Sequence, residues 1–345
     1  MRITLVLLIA MSFVKTALSQ VKGYPEGVEE MSYVSSADDT EQPTLFWAPE
    51  KSDGPLPLLV ALHTWSCDYT QAGGEAVYAR WCQQENWVFI HPNFRGPNRK
   101  PQALGSNLAV GDVLSAIEFA KKKANIDPER IYCIGVSGGG HMSLLMAGRA
   151  PEIWAGVSAW CGISDIAAWH QQCSENERFA HYAGHIEKAL GAPPEKGSDA
   201  LESANHRSPV SWLNAAQAVN LDINHGVKDG RIGSVPFSHS LHAWNAVVEG
   251  EEEFPDDWID SSYQSQTFSE SGNEANPDPL YGEHQPVFRK TAENTRITIF
   301  DGGHQIVHNA ALNWLAAQRK GAPAVWELKN TVTLKTGKEE SESGK

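Results

Sequence analysis

The chain has 345 residues, of which 41% are hydrophobic and 20% charged, as is typical of a soluble globular protein. Its 42 acidic residues outnumber 28 lysines and arginines, so the formal net charge is −14. This charge disfavours nucleic acid and anionic membrane surfaces as partners, because the long-range electrostatic force would be repulsive.

The first segment, MRITLVLLIAMSFVKTALSQ, is typical of an export signal. It has a basic start, an apolar run over residues 3–14, and small residues in Ala17-Leu18-Ser19, where a signal peptidase cuts. The apolar run is short against the roughly 20 residues of a membrane span. We therefore expect cleavage after Ser19 and a secreted or periplasmic mature protein, with no membrane anchor and a net charge of about −16.

Beyond this segment, short apolar runs alternate with longer segments of helical period, which predicts a mostly parallel sheet with helices on both faces. Two segments ahead of the parallel strands, MSYVSSA and PTLFWAP, are predicted to pair antiparallel at the sheet edge. The strand predictions are LPLLVALH (56–63), WVFIHP (87–92), RIYCIGV (130–136), WAGVSAWCG (154–162), AVNLDIN (218–224) and TRITIF (295–300). The helix predictions are 71–85, 109–124, 138–149, 235–249 and 305–319.

Two long segments interrupt the alternation. Residues 165–207 mix polar, helical and Pro/Gly-rich stretches and are predicted to form a small cap. Residues 250–290 form a polar, acidic insertion that is either functional or disordered. We expect one catalytic domain over residues 20–322 and a C-terminal extension over 323–345, whose end, KEESESGK, has the composition of a disordered tail.

Five cysteines are present, an odd number that leaves at least one unpaired. Cys133 lies inside a predicted strand and is interpreted as a buried small hydrophobic residue. Cys161 and Cys173 bracket the start of the predicted cap and are the candidate disulfide. Histidines and cysteines do not occur at zinc-site spacing, so no structural metal is predicted.

The run IYCIGVSGGG contains the pattern G-x-S-x-G at residues 135–139, between a predicted strand and a predicted helix. A nucleophilic serine needs this context, because small neighbours allow a sharp turn that presents its hydroxyl above the sheet. The helix N-terminus behind the turn also favours developing negative charge. Ser137 is therefore the candidate nucleophile, and the alternative is a small residue in a tight turn.

A serine nucleophile requires a histidine base and an acid to orient it, and on this type of sheet they follow in the order Ser, Asp or Glu, His. His304 comes directly after the strand TRITIF and is the candidate base. Asp229 lies in a glycine-bounded loop after AVNLDIN and is the candidate acid, against the alternative that Asp-Gly simply makes a turn. Asp165, after another strand, is the rival acid.

Neighbouring polar residues are given structural roles. Asp301 is expected to shape the turn before the candidate base, and His225 and His239 are interpreted as structural. For the oxyanion, one donor is expected to be the Gly138 N–H and the other the Trp65 N–H, with Thr64 as the alternative.

With these residues in place, the chain resembles the α/β-hydrolase superfamily, and within it the prolyl oligopeptidase-like catalytic domain and related secreted esterases. The resemblance covers about residues 55–320. It rests on IDPERIYCIGVSGGG, HPNFRGP, HGVKDGRIGSVPFSHS and DGGH. It implies an α/β-hydrolase fold in which Ser137, Asp229 and His304 are nucleophile, orienting acid and general base, and it implies no cofactor.

The chain departs from this family pattern in two places. His63-Thr64 stands where many relatives have His-Gly in the oxyanion loop. Only about 35 residues separate the export signal from the first parallel strand, which is too few for the β-propeller that screens substrates in large oligopeptidases.

Three functions remain open on these grounds. The first is a secreted carboxylic ester hydrolase that acts through an acyl-enzyme on an acylated carbohydrate or plant-type ester. The second is a prolyl oligopeptidase-type peptidase or aminopeptidase without the propeller, for which the substrate is a peptide. The third is a noncatalytic binding protein on the same fold. Twelve tryptophans, among them Trp65, Trp160 and Trp169, are compatible with a sugar-binding surface but are more often core residues.

Overall fold

The computed structural model describes residues 20–268 and 275–334. The predicted export signal and the predicted disordered tail lie outside these residues. Described strands form a nine-stranded sheet in the order β1-β2-β4-β3-β5-β6-β7-β9-β8. The strands are β1 (Glu29–Val34), β2 (Glu41–Trp47), β3 (Leu56–Leu62), β4 (Val88–Pro92), β5 (Ile126–Val136), β6 (Gly156–Trp160), β7 (Leu221–Gly226), β8 (Pro286–Ala292) and β9 (Thr295–Phe300).

Helices cover both faces of the sheet. Their bounds are α1 (Gly74–Glu85), α2 (Asn107–Lys123), α3 (Gly138–Arg149), α4 (Ile166–Ser174), α5 (Ala180–Leu190), α6 (Asp199–His206), α7 (Ser238–Asn245), α8 (Asp256–Ser265) and α9 (His308–Ala317). Strand residues alternate between two cores: Leu58 and Val60 pack with α2 and α3, whereas Leu59 and Ala61 pack with α1 and α9. The predicted α/β architecture is confirmed.

Parallel pairing joins six neighbouring strands, which in sheet order are β4, β3, β5, β6, β7 and β9. Their carboxyl ends therefore lie at one edge of the sheet. The predicted antiparallel pair at the edge of the sheet is confirmed: β1 and β2 are the first two strands in sheet order and pair antiparallel. Strand β8 was not predicted. It pairs antiparallel with β9 at the far edge, and of its residues Pro286 and Phe288 are buried. Residues 286–290 of this strand were assigned to the insertion.

The segment over 165–207 is largely helical and contains α4, α5 and α6. Its apolar side chains form a separate cluster around Trp169 and Ile186, and Trp65 from the loop after β3 belongs to the same cluster. The rings of Trp65 and Trp169 meet edge to face with centroids 4.6 Å apart. The helical segment therefore packs directly onto the loop proposed to hold the oxyanion.

All five cysteines are free, so the predicted disulfide between Cys161 and Cys173 is wrong. Cys173 is buried in the apolar cluster of α4 to α6. The thiol of Cys161 turns instead toward the carbonyl groups of the loop after β9, 3.4 Å from Gln305 O. Cys133 is fully buried in β5, as predicted.

No helix within residues 20–268 or 275–334 combines the length and apolarity that a membrane span needs.

Glu75 at the start of α1 is fully buried, and neither of its carboxylate oxygens bonds another residue in the described part of the chain. Burial raises the pKa of this carboxyl from 4.5 to about 7. Between these two values the folded state keeps a proton that the unfolded state has lost, so the free energy of unfolding falls as pH rises through this window.

Glu75→Gln is therefore expected to leave stability unchanged at pH 4 and to increase it at pH 8 by at most about 3 kcal/mol. Urea unfolding of both proteins across this pH range measures the difference. The same pH slope in wild type and variant would show that Glu75 is not held protonated.

Candidate active site

Ser137 occupies a strained turn between β5 and α3. Its backbone has φ 61° and ψ −120°, a conformation that costs a non-glycine residue on the order of 1–3 kcal/mol. Its N–H donates to Trp160 O at 2.8 Å, which ties the turn to the end of the adjacent strand β6. The serine is thus held above the carboxyl edge of the sheet, at the N-terminus of α3.

The glycines around Ser137 are required by close backbone approach. A Cβ on Gly135 would lie 2.4 Å from the backbone of Gly139, and a Cβ on Gly139 would lie 2.2 Å from Leu62 O. A Cβ on Gly138 would lie 2.4 Å from Trp65 N. The backbones of Gly138 and Trp65, whose amides are the predicted oxyanion donors, therefore lie side by side.

Side-chain contacts hold the loop that carries Trp65 in a fixed conformation. His63 is fully buried, stacks on Phe94 with ring centroids 3.8 Å apart, and contacts the carbonyl oxygens of Thr64 and Asn93. The Thr64 N–H donates to the side-chain oxygen of Gln71 at 2.9 Å, so this amide is already used. The Trp65 N–H has no acceptor among residues 20–268 and 275–334. Of the two alternatives, Trp65 is the better candidate for the second donor.

The candidate acid and base are in contact. Asp229, in the loop after β7, is fully buried, and its Oδ2 lies 2.6 Å from Nδ1 of His304 in the loop after β9. The same oxygen lies 3.0 Å from Nε2 of His225, while Oδ1 accepts from the N–H groups of Gly230 and Val235. All four contacts fix the orientation of the carboxylate.

Burial alone would raise the pKa of Asp229, but the bonds to His225 and His304 outweigh it and hold this pKa well below its usual range. The carboxylate is therefore ionised throughout the neutral range. His225 was predicted to be structural, and its contact with Asp229 was not foreseen. His225 lies near the end of β7, four residues before Asp229 in the loop that follows this strand. This short separation is the only indication of the contact in the sequence.

Ser137 and His304 lie at the same edge of the sheet. Trp160, which accepts from the Ser137 N–H, is followed by Cys161, and the Cys161 thiol contacts the carbonyl groups of Gly303 and Gln305 on either side of the histidine. Within the described residues no hydrogen bond joins the serine hydroxyl to the imidazole. Such bonds commonly tighten only when substrate is present.

Other polar residues from the sequence analysis have separate roles. Asp165 caps α4 by accepting from the Ala168 N–H at 3.0 Å, so its side chain is used at a helix start. Asp301 forms an exposed ion pair with Lys228. His239 lies against Ser164 and Gln172.

The three tryptophans near the strand ends are core residues. Trp65, Trp160 and Trp169 are each at most 2% exposed. They support the loops around the candidate site, and they do not form an exposed platform for a sugar.

Comparison with known proteins places these residues in a family. Residues 78–255 match a family model described as the prolyl oligopeptidase family. The chain is also similar to feruloyl esterase B of Neurospora crassa, at 23% identity over 59% of this chain and 68% of the relative. A second feruloyl esterase B, from Talaromyces stipitatus, is 24% identical over 55% of this chain and 53% of the relative, so the chain spans about half of that protein.

Among solved structures, an acylaminoacyl peptidase in complex with Z-Gly-Gly-Phe-chloromethyl ketone superposes with a TM-score of 0.50 and 18% identity. The likeness covers 64% of this chain and 35% of the peptidase. It shows that the two share the α/β-hydrolase fold.

Proposed function

The chain belongs to the prolyl oligopeptidase family of serine hydrolases, and we propose that it is a carboxylic ester hydrolase with Ser137 as its nucleophile. The observation that carries the mechanism is the 2.6 Å contact between Asp229 and His304 at the edge of the sheet where Ser137 is presented. The preference for esters is supported by the two feruloyl esterases to which the chain is similar.

In the first step, His304 Nε2 takes the proton of the Ser137 hydroxyl as its oxygen attacks the ester carbonyl carbon. Asp229 holds the Nδ1–H of the imidazole and stabilises the positive charge that the ring gains. Because the acid stays ionised, this stabilisation is available throughout the neutral range.

The negative charge on the carbonyl oxygen is stabilised by the N–H groups of Gly138 and Trp65. Such a donor contributes on the order of 3 kcal/mol to the transition state. The imidazolium then gives its proton to the leaving alcohol, and the acyl group remains on Ser137. Water, deprotonated by His304, then attacks the acyl carbon. The imidazolium returns its proton to the Ser137 oxygen as the acid product is released.

A serine peptidase is the second candidate, because the family includes peptidases and the same three residues serve peptide hydrolysis. The contacts around Ser137 do not distinguish ester hydrolysis from peptide hydrolysis.

We also propose that the protein is exported, because residues 1–19 have the pattern of an export signal. We propose that its natural substrate is a plant-type ester or an acylated carbohydrate.

Initial rates on an acetylated sugar, a feruloyl ester and an aminoacyl-naphthylamide distinguish these candidates. We expect the highest kcat/KM on an ester and no measurable cleavage of the amide. The Ser137→Ala variant, assayed beside the wild type, controls for contaminating esterases. Faster cleavage of the aminoacyl-naphthylamide would overturn the ester proposal and leave the serine mechanism intact.

A further inference from the structure

Three metal-ligating side chains of different chemistry meet beside the proposed nucleophile. The sulfur of Cys161, a carboxylate oxygen of Asp229 and a ring nitrogen of His304 all lie within 4.8 Å of one another. Cys161 and Asp229 are fully buried, whereas the side chain of His304 is 24% exposed. A group from solvent therefore reaches the cluster from the histidine side.

The thiol is held in place within this cluster. Cys161 has φ 47°, a left-handed conformation that is unusual for a residue other than glycine, at the end of β6. Its sulfur lies 3.4 Å from Gln305 O and 3.8 Å from Gly303 O. Because these carbonyl groups flank His304, the thiol has a fixed position relative to the imidazole.

Thiolate, imidazole and carboxylate together form a ligand set that suits Zn²⁺ and similar thiophilic cations. Bonds of about 2.0–2.3 Å place the ligand atoms of a tetrahedral site about 3.3–3.8 Å apart. The sulfur would therefore have to approach the other two ligand atoms by at most about 1.5 Å. The Asp229 oxygen and His304 Nδ1, which are 2.6 Å apart, would have to separate by about 1 Å. His304 lies on a loop and is the partly exposed member, so it can supply this movement.

We propose that Cys161, Asp229 and His304 form an inhibitory binding site for a thiophilic divalent cation such as Zn²⁺. The cation binds Cys161 as the thiolate, so the thiol proton passes to solvent. It binds His304 at Nδ1 as the neutral imidazole, so the ring proton moves from Nδ1 to Nε2. It separates the carboxylate from the imidazole and removes the base from Ser137. The inhibition rests on the proposed mechanism, whereas the binding itself does not.

Zn²⁺ titration of p-nitrophenyl acetate hydrolysis tests the inhibition, with a chelator added at the end to show that it is reversible. The Cys161→Ser variant keeps the size of the side chain but loses the thiolate. It is expected to need at least tenfold more Zn²⁺ for half-inhibition, since even the loss of a residue that supports a metal ligand costs about 10–100-fold in affinity. Half-inhibition at an unchanged concentration would overturn the proposal.

Cys67 provides the matched control, because it is a half-buried free thiol in the loop that carries Trp65. Cys67→Ser should leave the half-inhibitory concentration of Zn²⁺ unchanged. If Cys67→Ser relieves the inhibition, the cation acts at the oxyanion loop and the proposed site is wrong.

Direct binding is measured with Cd²⁺, whose bond to a thiolate gives an ultraviolet charge-transfer band. The Ser137→Ala protein should show this band, and the Ser137→Ala, Cys161→Ser protein should not. Absence of the band in the first protein, or its persistence in the second, would overturn the site. Since neither protein needs activity for this measurement, failure of the site is distinguished from failure of the proposed function.

Discussion

Ser137→Ala is expected to lower kcat for p-nitrophenyl acetate on the order of 10⁶-fold, to the level left by binding and the oxyanion donors alone. The loss follows because no other side chain at this turn offers an oxygen to form the acyl-enzyme. Steady-state hydrolysis measures the effect, and circular dichroism with thermal unfolding shows whether the fold is retained.

Ser143→Ala is the matched control for this variant. Ser143 is a buried serine on the same helix, α3, and its hydroxyl contacts the Cys133 thiol at 3.5 Å. Its replacement should leave kcat near the wild-type value. If Ser137→Ala turns over substrate at a rate close to wild type, then Ser137 is only a turn residue and the mechanism must be abandoned.

Asp229→Asn is expected to lower kcat on the order of 10⁴-fold, with a far smaller change in KM. An amide in place of the carboxylate cannot stabilise the imidazolium, and its NH₂ group favours the wrong tautomer of His304. The comparison is with Asp165→Asn, measured on the same substrate.

Asp165→Asn should retain nearly full activity and stability, because asparagine caps a helix about as well as aspartate does. A loss of activity confined to Asp165→Asn would mean that the acid follows β6 and that the Asp229–His304 contact is structural. Similar losses in both variants would point to an effect on folding, which thermal unfolding would reveal.

The sequence predicted the elements that are defined by local pattern. TRITIF matches β9 and residues 138–149 match α3, because a fully buried strand and a glycine-led helix are each recognisable without their neighbours. The edge strand β8 escaped prediction because one of its faces is solvated and the polar run Arg289-Lys290-Thr291 interrupts its apolar residues. The elements around the candidate site and the edge pair β1–β2 could therefore be predicted, and the edge strand β8 could not.

Contacts between individual side chains are where prediction from sequence failed. The order of Ser137, Asp229 and His304 along the chain indicated a shared sheet edge, but sequence could not show that His225 also contacts the acid. The position of the Cys161 thiol was missed for the same reason. Its thiol contacts residues more than 140 positions away along the chain. The sequence instead suggested a disulfide with Cys173, because the two cysteines bracket the start of the predicted cap.

The contacts of Asp229 affect how the proposed site responds when His304 gains a positive charge. His225 Nδ1 lies 2.7 Å from the Ser240 hydroxyl and its Nε2 faces both Asp229 and Val235 O, so the ring donates from Nε2 and accepts at Nδ1. The dipoles around the carboxylate are thus oriented before substrate arrives. Proton transfer to His304 then proceeds with little reorganisation energy, because that ordering was completed when the chain folded.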